Sequence, residues 1–181
     1  MLTGWTAKTP PEFRFALKAP ELITHRKRLH DTGADVDRFA GAAAHLGERL
    51  GPVLFQLGPD FKRDVPLLRD FIGQIGGRIP TAFEFRNRSW FIDEVLSALR
   101  DAGAALCIAE SEKLSTPIER TAPFVYVRLR KPGYDDATLA EWAGRIAGLA
   151  GGGADAYVYF KHELDAPDYA ARLAGLLGDS R

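Results

Sequence analysis

Residues 81–90 read T-A-F-E-F-R-N-R-S-W, and the fold turns on how that stretch is read. From Ala82 to Arg86 apolar and polar residues alternate with the two-residue period of a strand. Phe83 and Phe85 fall on one face, Glu84 and Arg86 on the other. Arg88 and Trp90 follow, and Phe91–Ala102 then carries an amphipathic helical pattern. A carboxylate, two guanidinium groups and an indole thus gather at the carboxyl end of one strand. Parallel α/β sheets place their chemistry there.

The same grammar extends in both directions. Upstream, Phe13–Lys18 alternates as a strand, and Ala19–Thr32 is a loop or short helix carrying His25-Arg26-Lys27-Arg28. Val36, Phe39, Ala43, Leu46 and Leu50 predict a helix over Asp35–Leu50, stopped by Gly51-Pro52. Val53–Leu57 is a second strand, and Val65, Leu68, Phe71, Ile72 and Ile75 stripe a second helix that Gly76-Gly77 ends. Downstream, Gly103 suits the position just past the Phe91–Ala102 helix. Leu106–Ala109, Phe124–Leu129 and Tyr157–Phe160 are three further strands. Thr138 and Glu141 have the spacing of a capping box, and Asp168 is placed to cap a last helix. Met1–Lys8 reads as the tail of a helix or a loop anchored by Leu2 and Trp5. Strands regularly followed by helices predict a parallel sheet with right-handed crossovers. Neither G-x-G-x-x-G nor G-x-x-x-x-G-K-[ST] occurs, and every strand closes on or beside a polar residue. A barrel-like sheet is therefore favoured over a dinucleotide-binding one.

Composition bounds the function classes. The chain has 181 residues, 46% hydrophobic and 27% charged, which suits a globular domain with a substantial core. Lys+Arg and Asp+Glu are 24 each, so bulk charge dictates no nucleic-acid or membrane partner, and a polyanion site must be a local patch. The single cysteine, Cys107, lies in an apolar run; it excludes an internal disulfide framework and points to a reducing, cytoplasmic setting. It reads as a small buried hydrophobe rather than a nucleophile. No signal-like opening and no membrane-length apolar run is present.

The segments F-R-F-A-L-K-A-P, G-P-V-L-F-Q-L, F-E-F-R-N-R-S-W and Y-V-R-L, with W-A and Y-V-Y-F later, closely resemble the YecE-like family, domain of unknown function 72. The resemblance covers nearly the whole chain in order. It implies a TIM-like (β/α) barrel and an uncharacterised activity, with recurrent polar positions at Lys18, Gln56, Glu84, Arg86 and Arg128. The family pattern normally begins with a strand bearing a G-x-S-G-W-like motif and then a second strand; neither has a counterpart here. Gly58 also stands where proline is usual, and Arg130 where histidine is common. The expected fold is therefore an incomplete barrel of six parallel strands with flanking helices, one domain over 1–181 lacking the usual first two strands. A truncated start or a fragment is the favoured account, with self-association through exposed sheet edges as the other.

If the polar phase of each strand faces one side, Lys18, Gln56, Glu84, Arg86, Arg128 and Lys161 converge on one mouth. His25 and the loop cations make it basic, and Glu84 and Glu110 seed it with carboxylates. Arg86 and Arg128 can clamp phosphate or carboxylate, Glu84 can serve as acid/base, and Gln56 can orient a substrate. A buried Glu84–Arg128 ion pair of purely structural use weighs equally. Trp90 can stack on a base or sugar, although core packing is the favoured reading. The His25–Arg28 run is read first as a solvated face. His25 and His162 with two glutamates form no recognised ligand spacing, so no metal and no cofactor is expected. Ser89 and Ser111 are read as caps or loop residues, since no G-x-S-x-G elbow exists. The sequence thus predicts a barrel protein acting on an anionic small molecule or a phosphodiester. The alternatives are a nucleic-acid-binding module and an inactive fragment.

Overall fold

Strands form where β-branched and aromatic residues alternate or run together between breakers, and the computed structural model bears out all six. It describes residues 4, 6–161 and 164–178. Contacts divide the chain into two units, residues 1–104 and 105–181.

In the first unit β1 (Phe15–Lys18), β2 (Leu50–Gln56) and β3 (Thr81–Glu84) pair in chain order, all parallel. Between β1 and β2 come a π-helical turn, Leu22–Arg26, and helix α1 (Gly33–Ala43). The helix predicted to Leu50 stops early. Its last part is the 3₁₀ segment Ala44–Arg49, broken by Gly47 at φ 55°, and the chain enters β2 directly. Pro52, which cannot donate to a ladder, sits where the β1–β2 register shifts, the place a strand tolerates it. Helix α2 (Val65–Ile75) matches its predicted range, with Asp64 accepting from Leu67 N at 3.0 Å and Gly76 closing it at φ 58°. Helix α3 (Asp93–Asp101) ends in a Schellman turn. Gly103 at φ 62° donates to Arg100 O (3.1 Å) and Ala104 to Leu99 O (2.9 Å), as glycine at that position predicts.

Strand parity builds this unit's core. Val53 and Phe55 of β2 and Phe83 of β3 point to the helices, where Phe55 and Phe83 stack at 5.5 Å and meet Phe71 edge-on. Each such ring fully buried is worth roughly 1.5–3 kcal/mol of transfer free energy. The opposite parity carries Lys18, Leu54, Gln56, Ala82 and Glu84.

In the second unit β4 (Ala105–Glu110), β5 (Val125–Leu129) and β6 (Ala156–Phe160) are again parallel and in chain order. Helices α4 (Asp136–Leu149) and α5 (Ala166–Gly178) cover the face formed by Ile108, Val127 and Leu129, with Leu139, Trp142, Ile146 and Leu173 in the same core. Cys107 is fully buried, as a small hydrophobe should be. Two helix starts differ from expectation. The cap of α4 is Asp135, whose carboxylate takes Thr138 N (2.8 Å) and Oγ1 (2.6 Å), so Thr138 lies inside the helix and Glu141 pairs with Arg145 instead. Asp168 lies within the first turn of α5 and pairs with Arg172 at 3.2 Å. At α4 an aspartate closer to the true helix start outcompeted the predicted signal. No described helix is long and apolar enough to cross a membrane.

Candidate functional site

The carboxyl ends of β2 and β3 build the site of the first unit. Gln56 and Glu84 are register partners, so their side chains emerge side by side on one face. Glu84 is fully buried; its Oε2 accepts from Gln56 Nε2 at 2.8 Å and its Oε1 from Arg86 Nε at 3.0 Å. Leu57 N donates to Glu84 O (2.9 Å), which ties the two strand ends together. A carboxylate removed from water needs such partners, because unpaired burial costs several kcal/mol. Arg86 lies just past the strand and remains 30% exposed, so the guanidinium is held on its Nε edge while its head reaches water. Among the described residues its Nη atoms make no hydrogen bond.

The remaining predicted residues of this unit divide. Lys18 has the parity of Gln56 and Glu84, one layer earlier on β1, and is exposed. His25 sits in the π-helical turn, exposed, with Nδ1 at 2.8 Å from Thr24 Oγ1; no described hydrogen bond joins it to Glu84. Two members of the basic run around it are committed elsewhere. Lys27 pairs with Asp35 at 2.7 Å, and Arg28 pairs with Asp60 at 3.0 Å and lies 4.7 Å over Phe61. Trp90 corrects the ligand-platform expectation. Its exposure is 0%, Phe85 stacks on one face at 4.8 Å, Phe61 meets it edge-on, and Nε1 donates to Phe61 O at 2.7 Å. No face is left for a base or sugar, so Trp90 is the core post that positions the turn carrying Arg86. Ser89 lies in the 3₁₀ turn Arg88–Trp90, its Oγ accepting from Arg63 N at 2.9 Å.

The second unit holds its own polar groups. Tyr126, Arg128, Tyr157 and Tyr159 share one parity: Tyr126 pairs in register with Tyr157 and Arg128 with Tyr159. The Tyr126 and Tyr159 rings lie 5.2 Å apart, and burial pushes the Tyr159 hydroxyl up to about 12. Lys161, exposed just beyond β6, continues that parity. Glu110 does not. It is in register with Leu129, on the helix-covered phase, which corrects its expected place among the cations of Arg128's face. There it accepts from Lys131 Nζ (2.8 Å) and from the Tyr134 hydroxyl (3.0 Å), and that hydroxyl also accepts from Lys131 N (3.1 Å). Burial, reinforced by the Glu110 charge and opposed by backbone hydrogen bonds, raises the Tyr134 hydroxyl well above its usual range. The sequence reading missed Tyr134. The only signal was an aromatic ring placed just past the Lys131-Pro132-Gly133 turn and before a capped helix.

No group of three or more His, Cys, Asp or Glu side chains could hold a metal ion among the described residues. His162 lies outside those residues.

The fold recurs in solved proteins. A DUF72 family protein from Thermotoga maritima superposes with a TM-score of 0.82 at 23% identity, covering 97% of this chain and 77% of that one. A DUF72 family protein from Enterococcus faecalis gives 0.83 at 18% identity, covering 98% and 78%. At such identities these likenesses speak for the fold alone. In sequence, the chain is 34% identical to the UPF0759 protein YunF of Bacillus subtilis over 112 residues, 55% of this chain and 39% of that protein. It is 30% identical to the UPF0759 protein YecE of Escherichia coli over 88 residues, 48% and 32%. The matched part thus spans about a third to two-fifths of those relatives' length. The family described as "Protein of unknown function DUF72" matches residues 1–181, and the chain belongs to that family.

Proposed function

We propose that the ends of β2 and β3 form a site for the phosphate or carboxylate group of a small molecule, with Arg86 as its grip. The observation that carries this reading is the Gln56–Glu84–Arg86 chain: a fully buried carboxylate fixes the guanidinium by its Nε edge and leaves the head partly exposed. Holding the fork in place removes part of the entropy that an anion would otherwise have to freeze out. Lys18, exposed on the same parity of β1, adds positive charge. In this reading Glu84 is a positioning residue rather than the acid/base, because both its oxygens already accept hydrogen bonds inside the protein. Arg128 and Lys161 present a second cationic stretch on the tyrosine face of their own unit. The nucleic-acid reading is weakened, since Trp90 is in the core and Lys27 and Arg28, two of its loop cations, are paired with aspartates.

Calorimetric titration with inorganic phosphate at low salt tests this. Charge-assisted hydrogen bonds are worth about 1.5–3 kcal/mol, so Arg86→Ala should weaken phosphate binding by one to two orders of magnitude with the fold intact. Glu84→Gln should weaken it less, by loosening the fork. Equal affinity of the wild type and Arg86→Ala overturns the proposal. Turnover of a simple phosphodiester that vanishes in Glu84→Gln would return Glu84 to the acid/base role.

A further inference from the structure

Among the described residues β6 ends the strand order, with β5 as its one sheet neighbour. Val125 N donates to Asp155 O at 2.8 Å, and Lys161 N donates to Leu129 O at 2.9 Å. In a parallel ladder each residue turns its N–H and C=O to the same side, and that side alternates along the strand. Asp155, Tyr157, Tyr159 and Lys161 therefore face β5 with their main chain. Ala156, Val158 and Phe160 turn theirs to the open edge.

That edge lacks the devices that usually discourage pairing. Its sequence, A-Y-V-Y-F, has no charge, proline or glycine and is rich in strand formers. β1, at the other end of the order, is guarded: it is four residues long, finishes on the exposed Lys18, and is flanked by Pro10-Pro11 and Pro20.

The β6 sequence is also complementary to its own reverse. A two-fold axis through Val158 sets Val158 against Val158 and Ala156 against Phe160. These are the residues whose main chain faces outward, so each such pair closes two hydrogen bonds. On the intervening pairs, where side chains come closest, Tyr157 meets Tyr159 and Asp155 meets Lys161. A small residue thus opposes a large one, a ring a ring, and an anion a cation at each end.

We propose that β6 is an interaction surface for a second copy of this chain, the two strands pairing antiparallel about Val158. The charge complementarity of Asp155 and Lys161 selects this occupant and this register: a slip of one residue in either direction breaks both charge pairs.

Sedimentation velocity across a concentration series of the 181-residue chain tests this. A concentration-dependent dimer is expected. Val158→Pro removes an outward N–H and no bond to β5, so it should give a monomer with an unchanged circular dichroism spectrum. Asp155→Lys, which sets like charges together twice, should weaken dimerisation by about tenfold. Adding Lys161→Asp to that variant should restore it. If Val158→Pro does not fold, the charge-swap series decides alone. A chain that stays monomeric at its highest soluble concentration overturns the proposal. So does a dimer indifferent to the swaps, or slow exchange of the Ala156, Val158 and Phe160 amides in the monomer, which would mean another segment covers the edge.

Discussion

Glu84 and Glu110 show how one residue type acquires two roles through strand parity. Both close a parallel strand, yet Glu84 has the parity of Gln56 and Lys18, while Glu110 has that of the helix-covered Leu129. The first holds a partly exposed arginine; the second ties a loop. The Glu110–Tyr134–Lys131 cluster gives a direct test, because its hydroxyl serves as both donor and acceptor. Tyr134→Phe leaves the Glu110 carboxylate short of a donor and the Lys131 N–H short of an acceptor. Urea unfolding should show a loss of about 1–3 kcal/mol, the cost of unsatisfied buried polar groups. A variant as stable as the wild type would show that water replaces the hydroxyl on both sides. No local pattern leads to this cluster, since Glu110 and Tyr134 meet only after β5 has been laid beside β4.

Elements were legible where one local signal stood unopposed. All six strands, and the Val65–Ile75 helix with its glycine stop, were readable because alternation, periodicity and breakers agreed. Helix starts were not, where two capping signals competed. At α4 the winner, Asp135, is exposed and its carboxyl is held below its ordinary value, first by the Thr138 hydroxyl and then by the Thr138 N–H. A carboxyl with a lowered folded pKa contributes stability that is present above its unfolded value and is lost as pH falls through the folded one. Amide exchange in the first turn of α4, corrected for intrinsic rates, should therefore accelerate on acidification below the usual carboxylate range. Asp135→Asn should remove that acid response while keeping a cap at neutral pH. An unchanged pH profile in the variant would show that the turn is held by packing instead.

Across the molecule, charge is balanced and apolar surface is managed unevenly. The formal net charge is zero at pH 7, so long-range repulsion between copies vanishes there. Solubility measured by precipitant titration should pass through a minimum close to neutral pH and rise on either side. A flat profile would show that local patches, not net charge, control association. Balanced charge also removes a barrier to the pairing proposed at β6, whose residues Ala156–Phe160 carry no charge.

What could be read without coordinates was what depends on neighbours in the chain: strand and helix periods, glycine stops, the α/β class, and a family likeness that the fold and the match over residues 1–181 support. The side chain of Glu84 could be assigned to a strand end and to a face, because parity is a local property. Its burial, its bonds to Gln56 and Arg86 and the withdrawal of Trp90 into the core could not, because each depends on which strands pair and in what register. Phe61 and Phe85 enclose Trp90 only once the loop after β2 and the end of β3 lie together. Polarity and spacing nominate candidates; tertiary packing decides which are desolvated, which are paired, and which still face water.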